Sequence, residues 1–226
     1  DFIPFHLTPC SNLEQNKNTM EQSFLQREPV RLADSIVLPR ARVHEVLGRA
    51  GDSFAVLTAT QTTGPILWIG ERAAVGTLTP CALSDFIDPT RIVLIETSNR
   101  KETLWATEQA LRCPGAAVVI TQLHLGPDLR ESRRLQLAAE TGGGLGLVLI
   151  ERRAQSSAAQ TRWECEPDSS TDMSAAQRLN AAGWSWALTK NKAGPVGRWR
   201  VSWSRAQNGG ENGQKGYVHL AAAAAA

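Results

Sequence analysis

Apolar residues recur along the middle of the chain in short blocks separated by glycine, proline and polar turns. Val43, Val46 and Leu47 form the first strand-like block. Gly48 and Gly51 bracket a turn, and Asp52 and Ser53 then offer side-chain oxygens to the free amides of a helix expected from Phe54 to Gln61. Ile66-Leu-Trp-Ile69, Arg91-Ile-Val-Leu-Ile95, Ala116-Ala-Val-Val-Ile120 and Leu145 to Ile150 are nearly continuous apolar runs. That is the pattern of strands covered on both faces. Between them lie helical spacings. Asn99 with Glu102 opens a loose capping box ahead of Leu104, Trp105, Glu108 and Leu111, and Pro114-Gly115 ends that helix. Asp128 to Thr141 is the clearest helix, stopped by Gly142-Gly-Gly144. Strands and helices therefore alternate from 43 to 150 with short links, which predicts βαβ units and a mainly parallel sheet.

Beyond 150 the period changes to two. Thr161 to Glu166, Trp184 to Lys190 and Arg198 to Trp203 alternate, and Gly194-Pro195 between the last two predicts an antiparallel hairpin. The expected fold is α/β: a parallel core flanked by helices, with antiparallel strands added at the C-terminal side. Three regions follow: an irregular segment over 1–30, a folded domain over 31–205 and a flexible tail over 206–226. Leu32 to Arg42 is read as the lead into the first core strand. Met20 is a plausible natural start, and Ala221 to Ala226 read as placeholders for unassigned side chains.

Composition narrows the class only a little. With 226 residues, 42% hydrophobic and 20% charged, the chain has enough apolar material for a substantial core. A net charge of +2 is too small to announce a nucleic-acid or membrane partner. No apolar run reaches the roughly 20 residues of a bilayer-spanning helix, and no secretory signal is read at the N-terminus. The expected setting is the cytoplasm, with no membrane partner. Cys10, Cys81, Cys113 and Cys165 stand far apart, so free thiols are expected rather than a zinc site. His44 reads as structural.

Strand, glycine turn and helix at Gly48 to Ser53 are the frame of a phosphate-binding loop without its contents. A working loop reads G-x-x-x-x-G-K-[ST]. No lysine stands between Gly48 and Thr58, and the charge of Asp52 opposes a phosphate.

The chain resembles the RecA-like ImuA family, particularly its short alphaproteobacterial members. The resemblance is carried by Leu38-Pro-Arg-Ala-Arg-Val-His-Glu-Val-Leu-Gly48, Gly64-Pro-Ile-Leu-Trp-Ile69, Asp88-Pro-Thr-Arg-Ile-Val-Leu94, Leu104-Trp105 with Glu108-Gln-Ala-Leu-Arg112, Arg133-Arg-Leu-Gln-Leu-Ala-Ala-Glu-Thr141, Thr161-Arg-Trp163 and Trp199. It implies a RecA-like core and a role in damage-inducible mutagenesis, overlapping in naming with SulA. The implied partners are the ImuB-like polymerase homologue, an error-prone polymerase and RecA. In that frame the degenerate phosphate loop is Gly48, Gly51, Asp52 and Ser53. The acidic end of the next strand is Glu71, and Thr121 replaces a magnesium-associated aspartate. Two of the three parts of a phosphoryl-transfer site are gone, so a pseudo-ATPase with no cofactor and no metal is expected.

Thr189-Lys-Asn-Lys192 is similar to a RecA turn that reaches a neighbour's nucleotide. Lys190, Lys192, Arg198 and Arg200, with Arg152 and Arg153 after the fourth strand, are the candidate contacts for single-stranded DNA or a partner. The plainer reading packs Trp199, Val201 and Trp203 inward and leaves the arginines in water. Trp68 and Trp105 are expected in the core, and Arg130, Arg133 and Arg134 on a wet helix face. An ATPase with a displaced site is a further alternative.

Overall fold

The computed structural model describes residues 28–33, 35–76, 78–168, 181–204 and 217–222. The expectations for Asp1 to Thr19, for Met20 and for most of the loop from Pro167 to Gln177 lie outside these residues.

Strands β1 (Val30–Ala33) and β2 (Ile36–Leu38) form a small antiparallel ribbon, not a lead-in to the core. The main sheet begins with β3 (Arg42–Leu47), followed by helix α1 (Gly51–Thr60) and strand β4 (Ile66–Glu71). Short helices α2 (Arg72–Val75) and α3 (Pro80–Leu83) precede β5 (Ile92–Thr97). Helix α4 (Arg100–Arg112), strand β6 (Val118–Leu125), helix α5 (Leu129–Gly142) and strand β7 (Leu145–Arg152) complete the alternation. Then come β8 (Thr161–Pro167), β9 (Ala181–Asn191), β10 (Gly197–Ser204) and β11 (Tyr217–Ala222).

The nine strands lie in the order β11-β10-β9-β8-β3-β7-β6-β4-β5. From β8 to β5 every neighbouring pair is parallel, and β9, β10 and β11 are antiparallel. The fold is α/β, with a mainly parallel sheet flanked by helices and antiparallel strands beyond it, consistent with a RecA-like fold. Part of the expected flexible tail, including Ala221 and Ala222, is strand β11 paired to β10.

Each face of the sheet has its own core. On one face Phe54 of α1 sits at the centre of an aromatic group, with ring centroids 5.1 Å from Trp163 and 4.8 Å from Trp186. Trp203 reaches Phe86 at 4.8 Å, and Trp199 reaches Trp163 at 5.5 Å. Trp68 belongs to this core, as expected, and the Trp–Val–Trp stripe of β10 faces it. The plain reading of those tryptophans therefore holds. On the other face α4 and α5 cover β4, β6, β7 and β3 through Leu111, Leu135 and Ala139.

Local signals explain the helix ends on that second face. Asn99 accepts from the Glu102 amide, while the Glu102 carboxylate reaches back to the Ser98 amide, one residue short of a full box. At α5 the reciprocal pair Asp128–Glu131 is complete, and Gly143 ends the helix at φ 68°.

Two expectations fail here. Arg91 to Ile95 was expected to be a strand covered on both faces, but β5 is the edge of the sheet, with Val93 and Leu94 exposed. Periodicity alone does not distinguish an apolar edge from a centre. Trp105 is not core but 62% exposed. Thr103, Thr107, Ala110 and Leu111 take the sheet-facing side of α4, and Trp105 lies on the opposite side.

Candidate functional site

The C-terminal ends of parallel strands are where α/β proteins hold ligands. Here the ends of β3, β4, β6 and β7 open into a cleft of about 490 Å³, lined among others by Gly48, Arg49, Asp52, Glu71, Gln122, His124 and Glu151. Sequence reasoning placed Gly48, Gly51, Asp52, Ser53 and Glu71 near one another. The structure brings Gly48, Gly51, Asp52 and Glu71 to this one cleft, while Ser53 lines a smaller apolar pocket behind α1.

The loop itself is only residues 48–50, because α1 starts at Gly51. Two amides at its junction with α1 are turned inward. Ala50 N–H donates to the Cys165 carbonyl at 3.0 Å, and Gly51 N–H donates to the Gly48 carbonyl at 3.1 Å. Gly48 holds φ 95°, and a side chain there would meet the Cys165 carbonyl at 2.2 Å. A phosphate-binding loop needs those amides free and pointing at the anion.

Asp52 and Ser53 are not caps, contrary to expectation. The N-cap is Ala50, with no side-chain cap hydrogen bond. Asp52 lies in the first turn of α1, where a carboxylate is favoured by the positive helix end. It accepts from Gln122 Nε2 at 3.1 Å across the cleft. Crowding strips part of its hydration and raises its pKa, against the opposing effect of the Gln122 hydrogen bond.

The remaining charges also disfavour an anion. Arg49 pairs with Glu166 at 3.4 Å, and His124 pairs with Glu151 at 2.6 Å. Asp52 and Glu71 also line the cleft wall. Thr121 is buried against α4, its hydroxyl 3.0 Å from that of Thr107. Among the described residues no group of three or more His, Cys, Asp or Glu side chains converges to hold a metal.

The basic candidates do not form one surface. Arg152 and Arg153 stand at the end of β7, and Arg153 pairs with Glu164. Lys190 and Lys192 lie at the opposite end of the sheet, beside the start of β8. Their ammonium groups donate to the carbonyls of Ser157 and Ala158 at 2.7 and 2.6 Å. A register shift between Arg162 and Trp163 puts Lys190 beside Arg162 instead of in line with Leu188. Arg200 pairs with Asp168 at 2.6 Å, and Arg198 is exposed on the same strand.

Two features escaped sequence reasoning. Glu45 is buried in β3, held by Arg162 at 2.7 Å and by the Ser157 hydroxyl. Its one signal was a carboxylate inside an apolar run. The other is the groove between α4 and α5 under Trp105, which only the pairing of the two helices creates.

No family model matches the chain. Two curated relatives do, both named Protein ImuA, from Caulobacter vibrioides strains NA1000 / CB15N and ATCC 19089 / CIP 103742 / CB 15. Each is 30% identical over 157 residues, which is 65% of this chain and 63% of the relative. The chain thus spans less than two thirds of the length of the curated relatives it matches. This similarity supports membership of the ImuA family.

Proposed function

With ImuA-family membership as the premise, we propose that the chain is a non-catalytic, RecA-like accessory protein of damage-inducible mutagenic DNA synthesis. It acts as an adaptor for an ImuB-like polymerase homologue, an error-prone polymerase, RecA or a combination of these. The observation that carries the non-catalytic part is the three-residue turn after β3, at whose junction with α1 the Ala50 and Gly51 amides are spent on internal carbonyls. An assembled set of lysine, metal-holding side chains and free amides is what phosphoryl transfer requires. The cleft instead presents Asp52 and Glu71.

The alternative of a single-stranded DNA module draws less support. Lys190, Lys192, Arg153 and Arg200 are engaged within the chain, and the six basic candidates are split between opposite ends of the sheet. A divergent DNA-dependent ATPase draws less still.

The test has two arms on the full chain. Labelled ATP is titrated with and without single-stranded DNA, and the tagged chain is co-expressed with the polymerase homologue. Co-purification without ATP binding is the expected result. Tight ATP binding with turnover lost in Glu71→Ala sinks the pseudo-enzyme reading. Failure to co-purify sinks the adaptor.

A further inference from the structure

Of the seven tryptophans, six lie in or against the aromatic core, and Trp105 alone is exposed. It stands over a groove of about 390 Å³ between α4 and α5, floored by Leu104 and Leu135. An exposed indole beside an apolar groove is the composition of an interface anchor, since large aromatic side chains supply most of the energy at such sites.

The groove walls carry Arg100, Lys101 and Arg134 against Glu108 and Glu131. Both carboxylates are already satisfied from within. Arg100 grips Glu131 with two nitrogens at 2.7 and 2.9 Å. Glu108 receives Arg134 at 2.6 Å and Arg112 at 3.0 Å. Lys101 has no carboxylate partner among the described residues, nor does Arg130, one turn before Arg134 on the exposed side of α5. Cations thus exceed anions around an apolar floor.

We infer that the groove between α4 and α5 docks an acidic segment of a partner protein, with an apolar side chain inserted beside Trp105 and carboxylates meeting Lys101 and, beyond Arg134, Arg130. This rests on the adaptor reading and names the surface it would use. A protein segment fits better than a single DNA strand. Strand-binding grooves offer successive aromatic platforms and an uninterrupted cationic track. Here there is one aromatic, and Glu108 and Glu131 interrupt the track.

The test uses the full chain and three fluorescein-labelled probes read by anisotropy. One is a short peptide with Leu and Phe four residues apart among Glu and Asp. The second has Lys in place of every acid, and the third is oligothymidylate. The acidic peptide binds, more weakly at about 200 mM salt than at 50 mM. Trp105→Ala weakens it about tenfold, and Lys101→Glu weakens it severalfold. Both positions are exposed, so an unchanged melting curve confirms folding.

No binding of the acidic peptide, equal binding of the lysine peptide, or indifference to Trp105→Ala overturns the proposal. So does tighter binding of oligothymidylate that depends on Trp105. Loss of peptide binding as a result, with the polymerase homologue still co-purifying, removes the groove alone. Loss of co-purification by the unaltered chain removes the adaptor reading beneath it.

Discussion

Glu45 is accommodated in the middle of a sheet because Arg162 meets it with two nitrogens, at 2.7 and 2.8 Å. A buried ion pair adds little net stability, but removing one partner strands the other in a low-dielectric site. Arg162→Ala should therefore destabilise the fold by about 3–5 kcal/mol in urea titration. Glu45→Leu with Arg162→Met should recover most of that loss, and equal effects of the single and double changes would refute the account. His44, on the same strand, lies fully buried between the Thr161 hydroxyl at 2.7 Å and the Pro39 carbonyl at 3.0 Å. Burial lowers its pKa from 6.5 to about 4, with the Pro39 hydrogen bond opposing and Arg42 assisting. Between those two values the unfolded chain holds the proton and the folded chain does not. Stability from this site is thus full above 6.5 and falls as pH drops towards 4, by up to about 3 kcal/mol. Urea midpoints measured across that window should show the slope in the wild type. His44→Gln, which keeps a donor and an acceptor, should flatten it.

At the scale of elements, the turn from β3 to α1 is a structural joint. Gly48 brings its backbone against the Cys165 carbonyl of β8, and Phe54 then anchors α1 in the aromatic core. Gly48→Ala should cost about 1–3 kcal/mol through strain at positive φ and backbone contact. Denaturant titration reads this directly, and an unchanged midpoint contradicts it. Helices were the most legible elements. Asp128, Glu131 and the glycines after Thr141 specified α5 from both ends, because caps and stops are local chemistry. Strand β5 was legible as a strand but not as an edge. Its six residues are as apolar as those of a central strand, and only the sheet order exposes Val93 and Leu94.

For the whole molecule, the candidate cleft was half readable. The missing lysine and the presence of Asp52 were visible in the chain, and the family resemblance implied an acid where Thr121 stands. The inward-turned amides, the Gln122–Asp52 bridge and the dispersal of the six basic candidates were not. They depend on contacts between residues such as Ala50 and Cys165 that lie far apart in the chain. The groove at Trp105 is the clearest case. Helical spacing put Leu104, Trp105, Glu108 and Leu111 on one helix but did not say which of them faced the sheet. By itself the sequence determined the strands and helices from β3 to β10, though not β1, β2 or β11, and which chemistry is lacking at Gly48 to Ser53, since periodicity, capping and residue type act locally. Strand order, burial and surface were decided only by the tertiary structure, because each is a relation between distant segments.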